Sequence, residues 1–571
     1  MGAEMKEILV VNTMRMGDLI QTTPMLAGLK KKWPDARITV LVNSAFKEIC
    51  KDLPFIDNLI ICKKSEFVKM FEKENKYSLV ECYRRIEELI DEVNQTEYDL
   101  ALNLTPSLDS ALLTSMFSAR EMRGVTVGAD GVRVIRHPWQ RYFMNVIPSR
   151  KYNPFHLCDI MIKTAGIPSS GDGLSLSVSD EESAKTRAFL EQFGVNDGDL
   201  LISFQLGASQ ELRTWPVASF ARLGDLLTES LKARILLTGS NSEEKLGKEF
   251  ESAFSHKAIN LIGKTNLREV AALLKRCSIL VTNDTGPLHI ATAVGTTAIA
   301  LFLGHACCRE TGPYGEDHYV IEADILCSPC GHAVKCTNHL CKKMVTPDCV
   351  LELAARILSS GRIEKLEDGP VWESVRVFRS CFAPDGMQDY APLLRRTLTP
   401  EVFYQYIYRE TWLRVLDGDS GFRAEEICGV IEARVSAWYR EGDLVSVLRV
   451  AGEDLSTLRK MEALAEEAST RISLIKNEID KPSPDVGLIQ RVWKDAPVID
   501  REIDTLGRTH PALMPPVMMF RYDKEALEGK ELAPMVEAAV GFYADLKKHF
   551  SMLTATIELL LEKHVKTARD S

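Results

Sequence analysis

Three motifs place glycine or charged residues directly after an apolar strand pattern, where a ligand site can form. The first covers residues 14–18, Met-Arg-Met-Gly-Asp, which follow the apolar run at residues 8–11 and open a helix. Open α/β sheets bind ligands at the carboxyl ends of their strands, and Gly17 would let another molecule approach the backbone there. Asp18 either takes a proton from an acceptor hydroxyl or only caps the helix.

The second motif lies in residues 205–216, after an apolar strand pattern at residues 200–204. It contains the sequence Arg-Thr-Trp-Pro from Arg213 onward, and its proline suits the first turn of a following helix. The Arg213 guanidinium can hold a phosphate through paired hydrogen bonds. The alternative is a surface arginine beside a packed tryptophan.

The third motif is residues 282–289, Thr-Asn-Asp-Thr-Gly-Pro-Leu-His, between a strand pattern and a helical one. Free N–H groups at Thr285 and Gly286 would point outward from the helix N-terminus, which suits a pyrophosphate. Asp284 can bind sugar hydroxyls, and His289 on the first turn can reach a phosphate. Capping explains Asp284 and Thr285 as well, but it does not call for His289.

A basic stretch runs from residue 120 to residue 151. Glu121 and Asp130 are its acidic residues, and its basic ones are Arg120, Arg123, Arg133, Arg136, Arg141, Arg150 and Lys151. Such a surface suits a phosphorylated, acidic acceptor, or it is a solvated basic face. The expected acceptor contacts are Gly17, Arg120, Arg123 and Arg136.

A cysteine-rich segment covers residues 327–349. Four of its cysteines lie within fifteen positions, namely Cys327, Cys330, Cys336 and Cys341. Four thiols at this spacing can hold a structural Zn²⁺ or iron ion tetrahedrally. Unligated or oxidised thiols are the alternative.

The order of strand and helix patterns divides the chain into three parts. Alternating patterns predict a Rossmann-like, doubly wound domain at residues 1–168 and a second one at residues 169–360. Long helical patterns then predict an all-α extension at residues 361–571. Apolar residues at heptad-like spacing indicate one long helix that ends before Pro482.

Composition restricts the class of protein. The 571 residues are 45% hydrophobic and 26% charged, as in ordinary globular proteins. A net charge of −10 argues against a nucleic-acid partner for the whole chain. The first residues lack a signal-peptide pattern. Residues 286–308 have no Asp, Glu, Lys or Arg, but a helix followed by a buried strand explains them better than a membrane span. We therefore expect a cytoplasmic protein, whose cysteines remain reduced or bind metal.

Taken together and in this order, the motifs resemble glycosyltransferase family 9, the ADP-heptose:lipopolysaccharide heptosyltransferases. The resemblance rests on Gly17-Asp18, Arg-x-Trp-Pro and Asn-Asp-Thr-Gly-Pro-x-His. The segments Thr-Gly-Ser at residues 238–240 and Gly-Lys-Thr at 263–265 also fit. The family implies a GT-B fold, with two Rossmann-like domains facing a cleft, the acceptor on the first and the donor on the second.

The resemblance also implies roles for particular residues. Asp18 would be the general base, and Arg213 takes the place of a basic residue that holds the donor phosphates. The remaining donor-side residues would be Asp284 at the sugar, Thr285, Gly286 and His289 at the pyrophosphate, and Gly239 and Lys264 at the nucleotide. No catalytic metal is expected, because a cation and a helix N-terminus can stabilise the leaving diphosphate.

The expected reaction is an inverting transfer of a heptose-like sugar, with ADP-heptose the favoured donor, to a lipopolysaccharide core acceptor. It would take place at the inner face of the inner membrane, with peripheral membrane contact. The same chemistry on a surface or flagellar protein is an alternative, and so is a non-catalytic scaffold that acts through the helical extension. That extension is also the expected interface for a second copy or a protein partner.

Overall fold

The computed structural model describes residues 6–64, 79–128, 131–419, 421–527 and 531–566. The strands of these residues are β1 (Glu7–Asn12), β2 (Arg37–Asn43), β3 (Asn58–Cys62), β4 (Tyr98–Asn103), β5 (Ala119–Val127), β6 (Arg133–Arg136), β7 (Leu201–Gln205), β8 (Arg234–Thr238), β9 (Ile259–Asn260), β10 (Ile279–Asn283), β11 (Thr297–Phe302), β12 (Tyr319–Ala323), β13 (Val375–Phe382) and β14 (Gln388–Pro392).

The α-helices of the same residues are α1 (Met16–Ile20), α2 (Thr23–Lys32), α3 (Leu79–Val93), α4 (Leu108–Thr114), α5 (Pro138–Val146), α6 (Leu157–Thr164), α7 (Asp180–Glu191), α8 (Val217–Leu231), α9 (Glu244–Ala253), α10 (Leu267–Arg276), α11 (Gly286–Ala293), α12 (Cys308–Thr311), α13 (Leu340–Met344), α14 (Pro347–Ser360), α15 (Pro400–Leu416), α16 (Ala424–Trp438), α17 (Asp443–Glu453), α18 (Leu455–Ile479), α19 (Val486–Thr509), α20 (Met514–Glu525) and α21 (Leu532–Leu561). None of these helices combines the length and the hydropathy that a membrane span requires.

The chain forms two compact units. The first contains the described residues of Met1–Val125 and Phe155–Leu394, and the second those of Thr126–Pro154 and Arg395–Ser571. The expected domain boundaries after residues 168 and 360 do not coincide with this division.

A first parallel sheet places five strands of the first unit in the order β3-β2-β1-β4-β5. Its central strand β1 is almost wholly apolar, and Ile8, Leu9, Val10 and Val11 are fully buried. Such continuous apolar runs are typical of strands covered on both faces. The alternation with helices confirms the predicted doubly wound arrangement.

The second sheet of this unit has the order β14-β13-β12-β11-β10-β7-β8-β9. The strands from β7 to β12 pair with one another in parallel, whereas β13 and β14 are antiparallel additions at the β12 edge. These two strands lie beyond residue 360, where only helices were expected. Strand β13 contains Arg376 and Arg379, and charged residues obscure a strand pattern. Arg379 is buried and pairs with Asp317 at 3.0 Å and Glu364 at 2.9 Å.

The second unit is mainly helical, as predicted for the C-terminal part of the chain. Helix α18 ends at Ile479, before Pro482, and it buries Ala465, Ala468, Ile472 and Ile475 along one side. The heptad-like spacing therefore predicted the end of the long helix correctly. The pattern that begins at Leu444 is nevertheless divided between two helices, α17 and α18, with Asp454 between them.

Residues 126–154 belong to this helical unit, although their place in the sequence suggested the first Rossmann-like domain. The Trp139 indole is buried and donates a hydrogen bond to Asp417 Oδ1 at 2.7 Å. The rings of Tyr142 and Trp412 meet edge to face, with centroids 5.1 Å apart. Arg141 forms an ion pair with Asp523 at 3.1 Å. The aromatic and basic side chains of this stretch thus form part of the helical core.

We predict that Trp139→Ala destabilises the protein by about 3–5 kcal/mol, because it removes a buried indole and leaves a cavity. Urea unfolding followed by circular dichroism measures the loss. Trp493→Ala is the matched control in the same unit, since the Trp493 side chain is 38% exposed. Equal effects of the two variants would contradict the packing described for Trp139.

Candidate functional site

Asp18 lies in the first turn of α1, six residues after Asn12, the last buried position of β1. Its Oδ2 accepts a hydrogen bond from the Arg15 N–H at 3.3 Å, and its backbone carbonyl accepts one from Asn12 Nδ2 at 3.2 Å. Burial raises the pKa of the Asp18 carboxyl above its usual value, while Arg15 opposes the rise and the Asp284 carboxylate adds to it. The structure thus brings two predicted site residues, Asp18 and Asp284, within electrostatic reach of each other.

Helix α1 and the N-terminus of α11 approach each other closely through two glycines. A Cβ atom on Gly17 would lie 2.8 Å from Cδ2 of His289 and 3.7 Å from the Cα of Gly286. A Cβ on Gly286 would collide with the end of the Met16 side chain. Glycine at these positions therefore lets the two helix starts meet, and any side chain would separate them.

His289 lies beneath this contact and is 4% exposed. Its Nε2 is 3.2 Å from Nε2 of Gln21. The other Gln21 contacts, to the Gly17 carbonyl at 3.4 Å and the Cys158 thiol at 4.0 Å, agree with this amide orientation. Because an amide nitrogen only donates, Nε2 of His289 accepts and the ring proton lies on Nδ1.

The Nδ1 atom of His289 is buried and has no hydrogen-bond partner in the described part of the chain. Burial lowers the pKa of His289 to about 4. The ring is therefore neutral near pH 7, and it holds one buried N–H donor that a ligand can satisfy. The sequence singled out His289 but not Gln21, since only the tertiary fold brings the two together.

Arg213 and Asp284 contact each other directly. Nη1 of Arg213 donates to Oδ2 of Asp284 at 2.7 Å, and the exposed fractions of the two side chains are 15% and 8%. The second guanidinium nitrogen donates to the Ser209 hydroxyl, and Thr311 Oγ1 donates to the other Asp284 oxygen at 3.4 Å. Nε of Arg213 is buried and has no hydrogen-bond partner among the described residues. The predicted phosphate-binding cation and sugar-binding carboxylate thus form an ion pair with each other.

Thr285 is the N-cap of α11 in an extended conformation, but its side chain does not cap the helix. Its hydroxyl instead contacts Thr282 Oγ1 at 3.1 Å and the Asn283 carbonyl at 3.3 Å. The N-terminus of this eight-residue helix is therefore not capped by its own side chain, which agrees with the predicted anion site.

Asn283, which lies in the third sequence motif but had no predicted role, organises the loop that carries Arg213. Its side chain is fully buried. Its Oδ1 accepts from the Trp215 N–H at 2.8 Å, and its Nδ2 donates to the carbonyls of Leu206 at 2.9 Å and Gly207 at 3.2 Å. One amide at the end of β10 therefore fixes both ends of residues 206–215.

Glu243 is a second residue that the sequence analysis missed. Its carboxylate accepts from Gln205 Nε2 at 2.7 Å and from the Ser240 N–H at 2.8 Å. A Cβ on Gly239 would lie 3.0 Å from this carboxylate, and one on Gly207 would collide with it. Glu243 therefore fills the space between the loops that follow β7 and β8.

Lys264, a predicted nucleotide-side residue, has its own contacts. Lys264 is exposed, its Nζ donates to the Asn260 carbonyl at 2.9 Å, and it lines a cavity of about 380 Å³ with Thr265 and Arg268. Nothing in the described contacts joins it to Arg213.

The expected acceptor arginines already have partners in the protein. Arg120 forms ion pairs with Glu97 and Asp99, and Arg123 pairs with Glu121 and donates to the Thr164 carbonyl. Arg136 belongs to the second unit, where it donates to Thr126 Oγ1 at 3.2 Å, and Asp130 lies outside the described residues.

The predicted metal ligands do not form a metal centre. The described residues contain no group of three or more His, Cys, Asp or Glu side chains arranged to hold a metal ion. The thiols are nevertheless neighbours, because Cys327, Cys341 and Cys336 all add to the rise in the pKa of Cys330 that its burial causes. Cys327 is exposed, whereas Cys330 and Cys341 are buried.

Residues 86–340 match the sequence profile of glycosyltransferase family 9 (heptosyltransferase). The chain contains a family 9 glycosyltransferase domain. Lipopolysaccharide heptosyltransferase 3 of Escherichia coli is 26% identical over 289 residues, which cover 50% of this chain and 80% of that protein. Lipooligosaccharide heptosyltransferase 2 of Haemophilus influenzae is 27% identical over 323 residues, or 55% and 88% of the two chains.

A family 9 glycosyl transferase from Veillonella parvula has a similar solved structure, with 24% identity and a TM-score of 0.53. The similarity covers 63% of this chain and 99% of that one. The predicted family, GT-B fold and enzyme class are thus confirmed, while residues 341–571 lie beyond the family 9 match.

We predict that Gly17→Ala lowers the transfer rate about 100-fold, because the added methyl group pushes α1 away from His289. Release of nucleoside diphosphate from a nucleotide sugar measures the rate. Gly198→Ala is the control, since a Cβ there meets nothing within 4 Å. An unimpaired Gly17→Ala variant would show that the close helix contact does not matter for transfer.

Proposed function

We propose that the protein transfers a heptose-like sugar from a nucleoside diphosphate sugar, ADP-heptose in preference, to a hydroxyl of a lipopolysaccharide core acceptor with inversion. The observation that carries this proposal is the meeting of Asp18, the Arg213–Asp284 pair and the N-terminus of α11. Relatives named as lipopolysaccharide and lipooligosaccharide heptosyltransferases support the sugar and the acceptor class.

Asp18 is the proposed general base. An inverting transfer in one step needs a group that takes the proton of the attacking hydroxyl. The raised pKa of Asp18 strengthens it as a base compared with an ordinary aspartate, while the carboxyl still ionises in acid solution. Gly17 beside it leaves room for the acceptor.

Arg213 and the start of α11 are the proposed donor diphosphate site. A diphosphate that enters would take over the Arg213 guanidinium from Asp284, and the released carboxylate would bind hydroxyls of the donor sugar. The N–H groups at Thr285 and Gly286 and the buried Nδ1–H of His289 would supply further donors. These groups stabilise the charge that develops on the leaving diphosphate.

The nucleoside would lie toward the loops of Gly207 and Gly239. The Glu243 carboxylate between these loops accepts hydrogen bonds only, so it suits the hydroxyl groups of a ribose. The exposed Lys264 would lie at the edge of the nucleotide, and Arg120 is the most exposed of the candidate acceptor cations in the first unit. We place the reaction at the cytoplasmic side of the inner membrane, where the core acceptor is built.

A panel of nucleotide sugars, each incubated with delipidated core oligosaccharide or with candidate protein acceptors, tests the proposal. Nucleoside diphosphate release that depends on the core oligosaccharide supports it. Release that depends only on a protein would favour protein glycosylation, and no release with any pair would favour a scaffold.

Asp18→Asn is predicted to lower kcat/KM by a factor of about 10²–10⁴, the usual contribution of a general base. Asp180→Asn is the matched control, because Asp180 also lies in the first turn of a helix but is exposed. Transfer that survives in Asp18→Asn would refute the proposed base.

The pH dependence follows from the raised pKa of Asp18. The base works only when deprotonated, so activity falls as the pH drops through this pKa, above the range of an ordinary aspartate. We expect this acid limb in the pH profile of kcat/KM for the wild type. The limb should vanish in the residual activity of Asp18→Asn, and its persistence would assign it to another group.

The diphosphate site uses a cation and a helix N-terminus, so we predict that a chelator leaves transfer unchanged. Rates are compared before and after dialysis against EDTA, with and without added Mg²⁺. A loss that Mg²⁺ restores would show that a divalent cation holds the donor phosphates.

A further inference from the structure

Arg213 lies on a short 3₁₀ turn, Glu211–Arg213. None of the three residues of this turn is classed as buried, so the turn has no apolar core of its own. Such a turn can place a guanidinium only if neighbouring segments hold its backbone. The ion pair with Asp284 fixes the end of the Arg213 side chain. The backbone of the turn needs other contacts to hold it.

The cysteine-rich segment contacts this turn from both sides. Before Arg213, the Lys342 ammonium on α13 donates a hydrogen bond of 2.7 Å to the Glu211 carbonyl. After Arg213, the Trp215 indole donates one of 2.9 Å to the Val345 carbonyl, directly beyond the end of α13. Residues 342–345 therefore hold both flanks of the arginine.

A third contact runs through Gly304. Its carbonyl accepts from the Cys330 N–H at 2.8 Å. A Cβ on Gly304 would lie 2.7 Å from the carbonyl oxygen of Leu212, so the two backbones touch. The segment that begins near Cys330 thus also supports the middle of the turn.

Lys342 is unusual within this segment because its side chain is buried, whereas the neighbouring Lys343 is exposed. Burying a long charged side chain has a high free-energy cost unless a hydrogen-bond partner compensates for it. The Glu211 carbonyl is that partner. An ammonium held against the backbone two residues before Arg213 can set the position of its guanidinium.

We propose that Lys342 is a positioning residue for the donor diphosphate, which acts through the backbone of the Glu211–Arg213 turn. This inference rests on the proposed function, since it takes Arg213 as the group that binds the donor phosphates. Lys342 does not touch the substrate; it fixes the residue that does.

The test compares Lys342→Met with Lys343→Met in the full chain, with ADP titrated calorimetrically. Lys342→Met keeps the length of the side chain but removes the donor. We expect its Kd for ADP and its KM for the nucleotide sugar to rise about tenfold, in line with a lost hydrogen bond from a charged group, while KM for the acceptor stays unchanged. Lys343→Met should match the wild type, and Lys342→Arg, which keeps a cationic donor, should recover part of the affinity.

A double-mutant cycle with Arg213→Met separates positioning from a general loss of stability. If Lys342 acts through Arg213, its substitution adds no further loss of ADP affinity once Arg213 is methionine. Independent, additive losses would overturn the proposal, as would equal affinities of Lys342→Met and Lys343→Met. If Arg213→Met itself binds ADP as tightly as the wild type, the proposed phosphate role of Arg213 fails first, and this inference fails with it.

Discussion

The ion pair between Arg213 and Asp284 is the interaction on which the rest of the site depends. Two largely buried charges are costly to remove from water, and each is tolerable only because the other is 2.7 Å away. A ligand that separates them must replace what each loses. A nucleoside diphosphate sugar can do so, because its phosphates satisfy the guanidinium and its hydroxyl groups satisfy the carboxylate.

Several features of the first unit serve to keep this pair in place. Asn283 fixes the ends of the loop that carries Arg213, and Lys342 holds the turn from the other side. Asp284 follows directly after the buried β10, so the end of this strand sets the position of its backbone. The glycine contact between α1 and α11 then brings Asp18 to the same edge. Apart from the opening of the ion pair, a site held in this way would need little rearrangement to bind the proposed donor, which favours tight and selective binding.

The sequence was sufficient to locate the residues that follow strand ends, because parallel strands bring their carboxyl ends to one edge of a sheet. Asp18, Arg213 and Asp284 were predicted in this way. Gln21 and Glu243 carried no comparable signal in the sequence. Gln21 meets His289 only through tertiary packing. Glu243 accepts from Ser240 in a local turn and from Gln205 through tertiary packing. Strand β13 was missed because Arg376 and Arg379, which form ion pairs with acidic residues, interrupt its apolar pattern.

For the basic stretch at residues 120–151, the sequence overestimated how many charged side chains are available to a ligand. Its net positive charge suggested a surface for an acidic ligand. Arg141, however, forms an ion pair with Asp523, and Arg123 forms one with Glu121. A net charge summed from the sequence treats every charged side chain as available to a ligand. In the folded protein many of these side chains form ion pairs with one another. In the first unit, the Arg120 side chain is 61% exposed, whereas that of Arg123 is 20% exposed.

The membership of residues 126–154 in the helical unit has a consequence for how the chain is made. About 240 residues separate this segment from Arg395, where the rest of its unit begins. At ribosomal rates of about 5–20 residues per second, the segment waits on the order of ten to fifty seconds for its partners. During that time Trp139 and Tyr142 have no helices to cover them, and the nascent chain offers an apolar surface to chaperones or to other unfinished chains.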